Sequence, residues 1–476
     1  MRMDQKILDR LYDIVGPDGV VAHKSARSVY DCDGYTLEKA VPEIVVLPHS
    51  TEEVAAVVKF LNKEKIAFVP RGAGTGLSGG CLPVEAPVMI GTSRLNKIVH
   101  IDLLNRHVVA QSGVVNLWVS NAVKEQGFQY APDPSSQQAC TIGGNIAENS
   151  GGPHTLKYGV TTNHVLGLEV VLPDGEIVTL GGTVEDVPGY DLRGITIGAE
   201  GTFGIVTQAA LKLTRQPQAY RTFLAVFESV HHATQTVSGI IASGIVPAAL
   251  EMMDTLIIQA IEEAFHFGFP TDAGAVLIIE IDGLAASLDP QTERIQAICK
   301  HNKAREVRIA RDDAERMALW KSRKRAFGAI GRLSPNYCTQ DGVVPRTKVP
   351  DILQRITEVS EKYQLRIANV FHAGDGNIHP ILMYDERNAD ETRRVVQAGK
   401  EILNACVDLG GSLTGEHGIG VEKMSQMPLI FSPEDLMVMT QLRSVFNPDN
   451  LCNPNKIIPT PGGCIDVTTP RRQVPL

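Results

Sequence analysis

Between residues 42 and 70 the apolar positions follow two periods. Val54, Val57, Val58 and Leu61 recur at i, i+3, i+4 and i+7, the spacing of one helix face, and Ser50 with Glu53 gives that run a capping-box start. Short apolar runs at 43–47 and 67–70 flank it, so the pattern predicts strand, helix, strand. From 70 to about 217, short β-branched runs separated by turns such as Asp174-Gly175 predict mainly strands. Beyond about 218, strand-like runs at 223–227, 276–281, 367–371 and 381–384 alternate with helical patterns at 230–243, 255–264, 312–330, 351–363 and 389–409. That mixture predicts a second, α+β domain. The stretch 447–455 is rich in Pro and Asn and reads as irregular; no repeat of fixed period is present.

A chain of 476 residues is long enough for two or three domains. Lys and Arg number 45 against 54 Asp and Glu, a formal net charge of -9, which argues against the broad basic face that nucleic-acid binding needs. No run approaches the ~18 apolar residues of a membrane span, and Met1-Arg2-Met3-Asp4-Gln5-Lys6 is too polar for a signal-peptide core. The eight cysteines stand singly with no CxxC, against disulfide frameworks, zinc–cysteine sites and iron–sulfur clusters. The expectation is a reduced, cytoplasmic chain. Glycine is the outlier, with 43 residues in clusters.

The first cluster, Pro70-Arg71-Gly72-Ala73-Gly74-Thr75-Gly76-Leu77-Ser78-Gly79-Gly80, contains a G-x-G-x-x-G match after a predicted strand. A Rossmann loop must open a helix whose amides face the pyrophosphate. Here Pro83 and Pro87 follow within a few residues and forbid that helix. What remains is bare backbone, suited either to a nest of N–H groups around an anion or to a structural turn. A second cluster holds Pro132-Asp133-Pro134, Ser136, Thr141-Ile142-Gly143-Gly144-Asn145, Asn149-Ser150-Gly151-Gly152 and Lys157-Tyr158-Gly159. The third is Ile197-Gly198-Ala199-Glu200-Gly201-Thr202-Phe203-Gly204-Ile205-Val206.

In this order and spacing the three clusters resemble the FAD domain of the vanillyl-alcohol oxidase / p-cresol methylhydroxylase (PCMH) superfamily. The resemblance runs over roughly 40–460 and is greatest to the group of D-lactate dehydrogenase, D-2-hydroxyglutarate dehydrogenase and the D-type subunit of glycolate oxidase. It implies an α+β fold: a two-subdomain PCMH-type FAD-binding domain over 1–217, an α+β substrate domain with an antiparallel sheet over 218–440, and a segment 441–476 returning to the FAD domain. It implies that Arg71, Gly72, Ala73, Gly74, Thr75 and Gly76 cradle the FAD pyrophosphate. Pro134, Ser136, Thr141, Gly144 and Asn145 would lie along the flavin, and Glu200, Gly201 and Ile205 near the adenine–ribose end. Pro70, Gly151 and Tyr158 complete the implied cofactor-binding set. Relatives with tethered flavin often carry a histidine in the pyrophosphate loop; here Thr75 stands without one, so non-covalent FAD is expected.

In the second half, Phe371-His372-Ala373-Gly374-Asp375-Gly376-Asn377-Ile378-His379-Pro380 carries the densest signal. Asp375-Gly376 predicts a two-residue hairpin turn, which would place His372 directly opposite His379 on one face. Glu416, in Gly415-Glu416-His417-Gly418, could complete a three-ligand site for Zn, Mn or Fe with open positions. The other reading is satisfied polar residues in tight loops. On 312–330, Trp320, Arg323, Phe327 and Ile330 form one stripe. A guanidinium there needs a partner, either a structural carboxylate or that of a substrate. The resemblance implies metal-binding roles for His372, His379 and Glu416, a proton-abstracting role for His417, a carboxylate-binding role for Arg323 and a catalytic position for Asn377.

The expected activity is therefore FAD-dependent dehydrogenation of a small D-2-hydroxy acid, glycolate or D-lactate. The resembled enzymes that act on 2-hydroxyglutarate have further polar substrate contacts downstream on this stretch; here the fourth position after Arg323 is Phe327, so the resemblance implies that a dicarboxylate is disfavoured. Alternatives are a non-catalytic FAD-carrying electron-transfer subunit, a D-2-hydroxyglutarate dehydrogenase, and a flavin lyase like alkyl-glycerone-phosphate synthase. The resemblance suggests an iron–sulfur subunit, a second flavin subunit, an electron-transferring flavoprotein or a quinone as electron acceptor. It places the chain in the cytoplasm, or peripheral at the membrane through partner subunits.

Overall fold

Ser50 caps the first predicted helix by accepting the Glu53 amide at 3.2 Å, while the Glu53 carboxylate reaches one residue further back, to the His49 amide. The helix runs Thr51–Lys63 and buries Val54, Val57, Val58 and Leu61 completely. It joins strands Ile44–Val46 and Phe68–Arg71, each of which pairs in parallel with Val88–Gly91. The computed structural model describes residues 4–185 and 188–459, and these fall into two compact units.

The first unit holds the described residues up to Gly151, then Val160–Gln216, then those from Glu416 onward. Beside the four-stranded sheet just described it contains a five-stranded antiparallel sheet. Its order is Ile98–Asp102, His107–Gln111, Ile205–Lys212, Val165–Val171, Ile177–Gly181. Two helices, Asn116–Val123 and Ile142–Glu148, lie in the stretch expected to be strands and turns. The second carries Gly143 and Gly144, which weaken the helical signal, and is started by the Thr141 hydroxyl on the Gly144 amide. The C-terminal stretch is tied into this unit. Asn453 and Leu451 hydrogen-bond the backbone of Phe68, and Lys456 donates to the Leu82 carbonyl. The return was expected at 441; the chain groups with this unit from Glu416. The part of the expected C-terminal segment beyond 459 lies outside the described residues.

The second unit holds Gly152–Gly159 and Pro217–Gly415. Its main sheet is antiparallel, in the order Glu306–Ile309, Ala219–Phe227, Ala275–Gly283, Ala249–Asp254, Ile367–His372, Asn377–Tyr384, Asn336–Thr339. The strand Ala249–Asp254 was not legible, because Ala-Leu-Glu-Met-Met consists of good helix formers; pairing on both edges overrides that preference. The helix expected over 312–330 is two helices, Asp313–Lys324 and Ala326–Ile330, broken at Arg325. The break lets Ala326, Ala329 and Ile330 join the core formed with Ile257, Ile258 and Ile261.

One buried carboxylate anchors the helix Asp313–Lys324 to the sheet. Glu280 accepts both Arg316 Nε and Nη2 at 2.8 Å, Trp320 Nε1 at 2.7 Å and the Thr222 hydroxyl at 2.5 Å, with His154 at 3.5 Å. Burial alone would raise its pKa; the hydrogen bonds and charges of His154 and Arg316 outweigh that and bring it down to about 2. A folded value below the ordinary 4.5 means that ionised Glu280 stabilises the fold above about pH 4.5 and that the contribution disappears as pH falls towards 2. The size is roughly 3 kcal/mol. Glu280→Gln should therefore unfold at lower temperature at pH 7, with a shallower loss of stability between pH 4.5 and 2 than the parent. Thermal unfolding of both proteins across that range checks this; identical acid limbs would contradict it.

Candidate functional site

The histidine hairpin forms, with a different turn. His372 pairs with Asn377, Phe371 with Ile378 and Val370 with His379, so four residues, 373–376, make the connection instead of two. The expected direct opposition of His372 and His379 is thus corrected by two places. Because side chains alternate with period two, a shift of two keeps both imidazoles on the same face as diagonal neighbours. Their rings stand edge-to-face with centroids 5.1 Å apart. Gly376, at φ +81°, is required by the turn: a Cβ there would run into the Val344 carbonyl.

Each imidazole has a carboxylate behind it. His372 Nδ1 lies 2.7 Å from Glu251 Oε1, and His379 Nδ1 lies 3.8 Å from Asp341 Oδ1. A carboxylate can only accept, so His372 keeps a proton on Nδ1 and it is Nε2 that gives up its proton to offer a lone pair, the arrangement of a metal-binding histidine. The donor set therefore suits a divalent metal. Asp341 also accepts the Thr414 hydroxyl at 2.6 Å and the Gly415 amide at 3.0 Å, fixing the peptide that leads into Glu416. Asn377 is buried against Gly415, and its Oδ1 has no hydrogen-bond partner among the described residues.

Arg323 is almost wholly buried, 1% exposed, and its Nε sits 2.7 Å from the second oxygen of Glu251. Sequence reasoning left a structural carboxylate and a substrate carboxylate open for Arg323. The structure supplies the first; Nη1 is buried and makes no hydrogen bond among the described residues. Burial would raise the Glu251 pKa, yet the charges of His372 and Arg323 hold it below the ordinary value, so it is an anion. Sequence reasoning missed Glu251 and Asp341. The available signal was an acid inside the apolar run Ala248-Ala249-Leu250-Glu251-Met252-Met253, which must be buried and partnered.

In the first unit the loop after Phe68–Arg71 is built around Arg71. Its guanidinium contacts Cys81 Sγ at 3.4 Å and packs over the Tyr30 ring. Gly74, at φ +70°, lies directly against that guanidinium, where a Cβ would collide with it. A Cβ at Gly72 would fall 2.5 Å from Thr141 Oγ1, so the first and second glycine clusters meet where only a glycine fits, with the Gly144 amide next nearest, a cradle that fits a dinucleotide pyrophosphate. Pro134 and Ser136 form a tight turn, their carbonyls accepting the Gln137, Ala139 and Cys140 amides. Asn145 is held internally by Asn116 and Ser150. Ile205 is a core side chain, and Gly201 packs on Pro70. Tyr158 belongs to the second unit, where its hydroxyl donates to Asp282 at 2.6 Å.

Glu200 serves the loop that carries Glu416 and His417. Its carboxylate accepts the Ile419 and Gly420 amides at 2.7 and 2.8 Å. Glu416 Oε1 and His417 Nε2 are 3.8 Å apart at the start of that loop. Glu148, also missed from the sequence, is buried beside Gly80 and Gly418. Burial and the neighbouring Glu200 and Asp33 charges push its pKa well up.

Comparison with known proteins agrees with this two-part architecture. Residues 42–181 match the family described as FAD binding domain, and 216–457 match that described as FAD linked oxidases, C-terminal domain. "Glycolate oxidase subunit GlcD" of Escherichia coli (strain K12) is 45% identical over 92% of this chain and 88% of its own length. "D-lactate dehydrogenase" of Anaerostipes hadrus is 34% identical over 88% of this chain and 90% of its own. A p-cresol methylhydroxylase crystal structure with substrate bound superposes with TM-score 0.81 at 16% identity, covering 95% of this chain and 96% of that one, and so shares the fold. No helix among the described residues is long and apolar enough to cross a membrane. The chain belongs to the FAD-linked oxidases, in the group that includes glycolate oxidase subunit GlcD and D-lactate dehydrogenase.

Proposed function

We propose that this flavoprotein oxidises a small D-2-hydroxy acid, glycolate or D-lactate, to the 2-oxo acid. The observation that carries the reading is Arg323, a buried guanidinium with one edge on Glu251 and Nη1 without a hydrogen bond. A short monocarboxylate fits that vacancy in hydrogen bonding, and the two relatives named above bear the names of enzymes for such acids. When bound, FAD would accept the C2 hydride, and a divalent metal such as Zn, Mn or Fe would lower the pKa of the substrate hydroxyl.

In this reading Arg323 fixes the carboxylate so that C2 is presented in one orientation. His372, His379 and Glu416 hold the metal, His417 removes the hydroxyl proton, and Asn377 contributes a polar contact to the substrate. Arg71, Gly72, Ala73, Gly74, Thr75 and Gly76 cradle the pyrophosphate, with the second and third clusters completing the FAD site. A non-covalent FAD follows from the absence of a histidine in that loop. Electrons leave through a partner: an iron–sulfur subunit, a second flavin subunit, an electron-transferring flavoprotein or a quinone.

Purified protein should be yellow and release intact FAD on acid precipitation, and Gly74→Val should lose the cofactor; flavin in the pellet, or normal retention in the variant, would contradict the loop assignment. Anaerobic mixing with a panel of D- and L-2-hydroxy acids should bleach the flavin with glycolate or D-lactate. Arg323→Lys should cut kcat/KM by roughly 10²-fold, since an ammonium cannot reproduce the fork. A higher kcat/KM for 2-hydroxyglutarate would overturn the substrate assignment. His379→Ala should lose metal, keep FAD and stop reduction, whereas His417→Ala should keep both and slow by roughly 10²–10⁴. Verified metal-free enzyme that still bleaches at full rate would remove the metal from the reaction.

A further inference from the structure

We infer that Glu251 is a positioning residue that couples the substrate-carboxylate site to the metal site. It does so by holding Arg323 with one oxygen and His372 with the other. The inference rests on the reading of the site given above. Glu251 and His372 are directly paired residues on neighbouring strands, Ala249–Asp254 and Ile367–His372, so their side chains leave the sheet side by side. Arg323 reaches the same carboxylate from the helix Asp313–Lys324. Both contacts are 2.7 Å, and the three side chains are 0%, 1% and 4% exposed, so water can replace neither partner.

This arrangement dictates how each partner works. On the histidine side, the acceptor oxygen holds the proton on Nδ1 and turns Nε2 towards the metal. On the arginine side, the Nε edge is taken, so a substrate carboxylate must use the Nη end of the fork. The charges of Arg323 and Glu251 cancel. A bound substrate anion then adds an uncompensated negative charge, which a divalent ion at His372 and His379 offsets. Metal and anion should therefore each bind more tightly in the presence of the other, and by the same factor.

The test uses FAD-loaded full-length protein, Zn²⁺ or Mn²⁺ as the metal probe and pyruvate as an anion that cannot reduce the flavin. Metal affinity is measured by chelator competition with and without pyruvate, alongside FAD content. Pyruvate should tighten metal binding in the parent. Glu251→Gln offers an amide N–H₂ to one of two donors, so metal affinity should fall about 10–100-fold and the pyruvate effect should vanish while FAD is retained. Unchanged metal affinity and an unchanged pyruvate effect in Glu251→Gln would overturn the inference. His379→Ala separates the two failures: if it binds metal normally, the underlying site is wrong, whereas loss of metal there with normal binding in Glu251→Gln rejects only the role of Glu251. Should Glu251→Gln fail to fold, ¹⁵N-histidine NMR of the parent decides. A proton on His372 Nδ1 supports the inference, and a proton on Nε2 overturns it.

Discussion

A guanidinium taken out of water must find its counter-charge inside the protein, and the second unit is organised around that requirement. Two arginines seven residues apart on one helix, Arg316 and Arg323, each meet a glutamate rising from the sheet. The two pairs differ in how completely they are closed. Glu280 receives both Arg316 Nε and Nη2 as well as Trp320 and Thr222. Glu251 meets Arg323 Nε with one oxygen and His372 with the other. The first pair fastens the helix; in the second, Arg323 Nη1 is buried without a hydrogen bond among the described residues.

The first unit meets the opposite demand, a site for a large anion, with very few cations. Its glycine clusters let neighbouring groups come in where a Cβ would collide, the Thr141 hydroxyl at Gly72 and the Arg71 guanidinium at Gly74. Carboxylates hold the loops in shape. Glu200 ties the Ile419–Gly420 amides to the third cluster, and the raised pKa values of Glu148 and Glu200, set first by burial, keep that acidic group from repelling itself.

Sequence patterning carried the local elements well where one period dominated. The helix Thr51–Lys63 and its flanking strands lie within a residue or two of their expected bounds. Patterning was weakest where tertiary pairing overrides propensity, as in Ala249–Asp254, or where glycine sits inside a helix, as in Ile142–Glu148. Asp375-Gly376 located the hairpin but not its register, since a four-residue connection serves that dipeptide as well as a two-residue one; the imidazoles still share a face because the slip is even. Of the site, the chemically conspicuous residues His372, His379 and Arg323 were legible. Their partners Glu251 and Asp341 were not, because second contacts depend on which strands become neighbours, and spacing along the chain does not encode that.

The central claim is that Arg323 divides its guanidinium between Glu251 and the substrate. A crystal structure of the FAD-loaded, metal-loaded protein with pyruvate bound tests it most directly. The account predicts the pyruvate carboxylate within hydrogen-bond distance of Arg323 Nη1, with Nε still on Glu251 and Glu251 still on His372 Nδ1. A carboxylate bound by other residues, with Arg323 serving Glu251 alone, would contradict it.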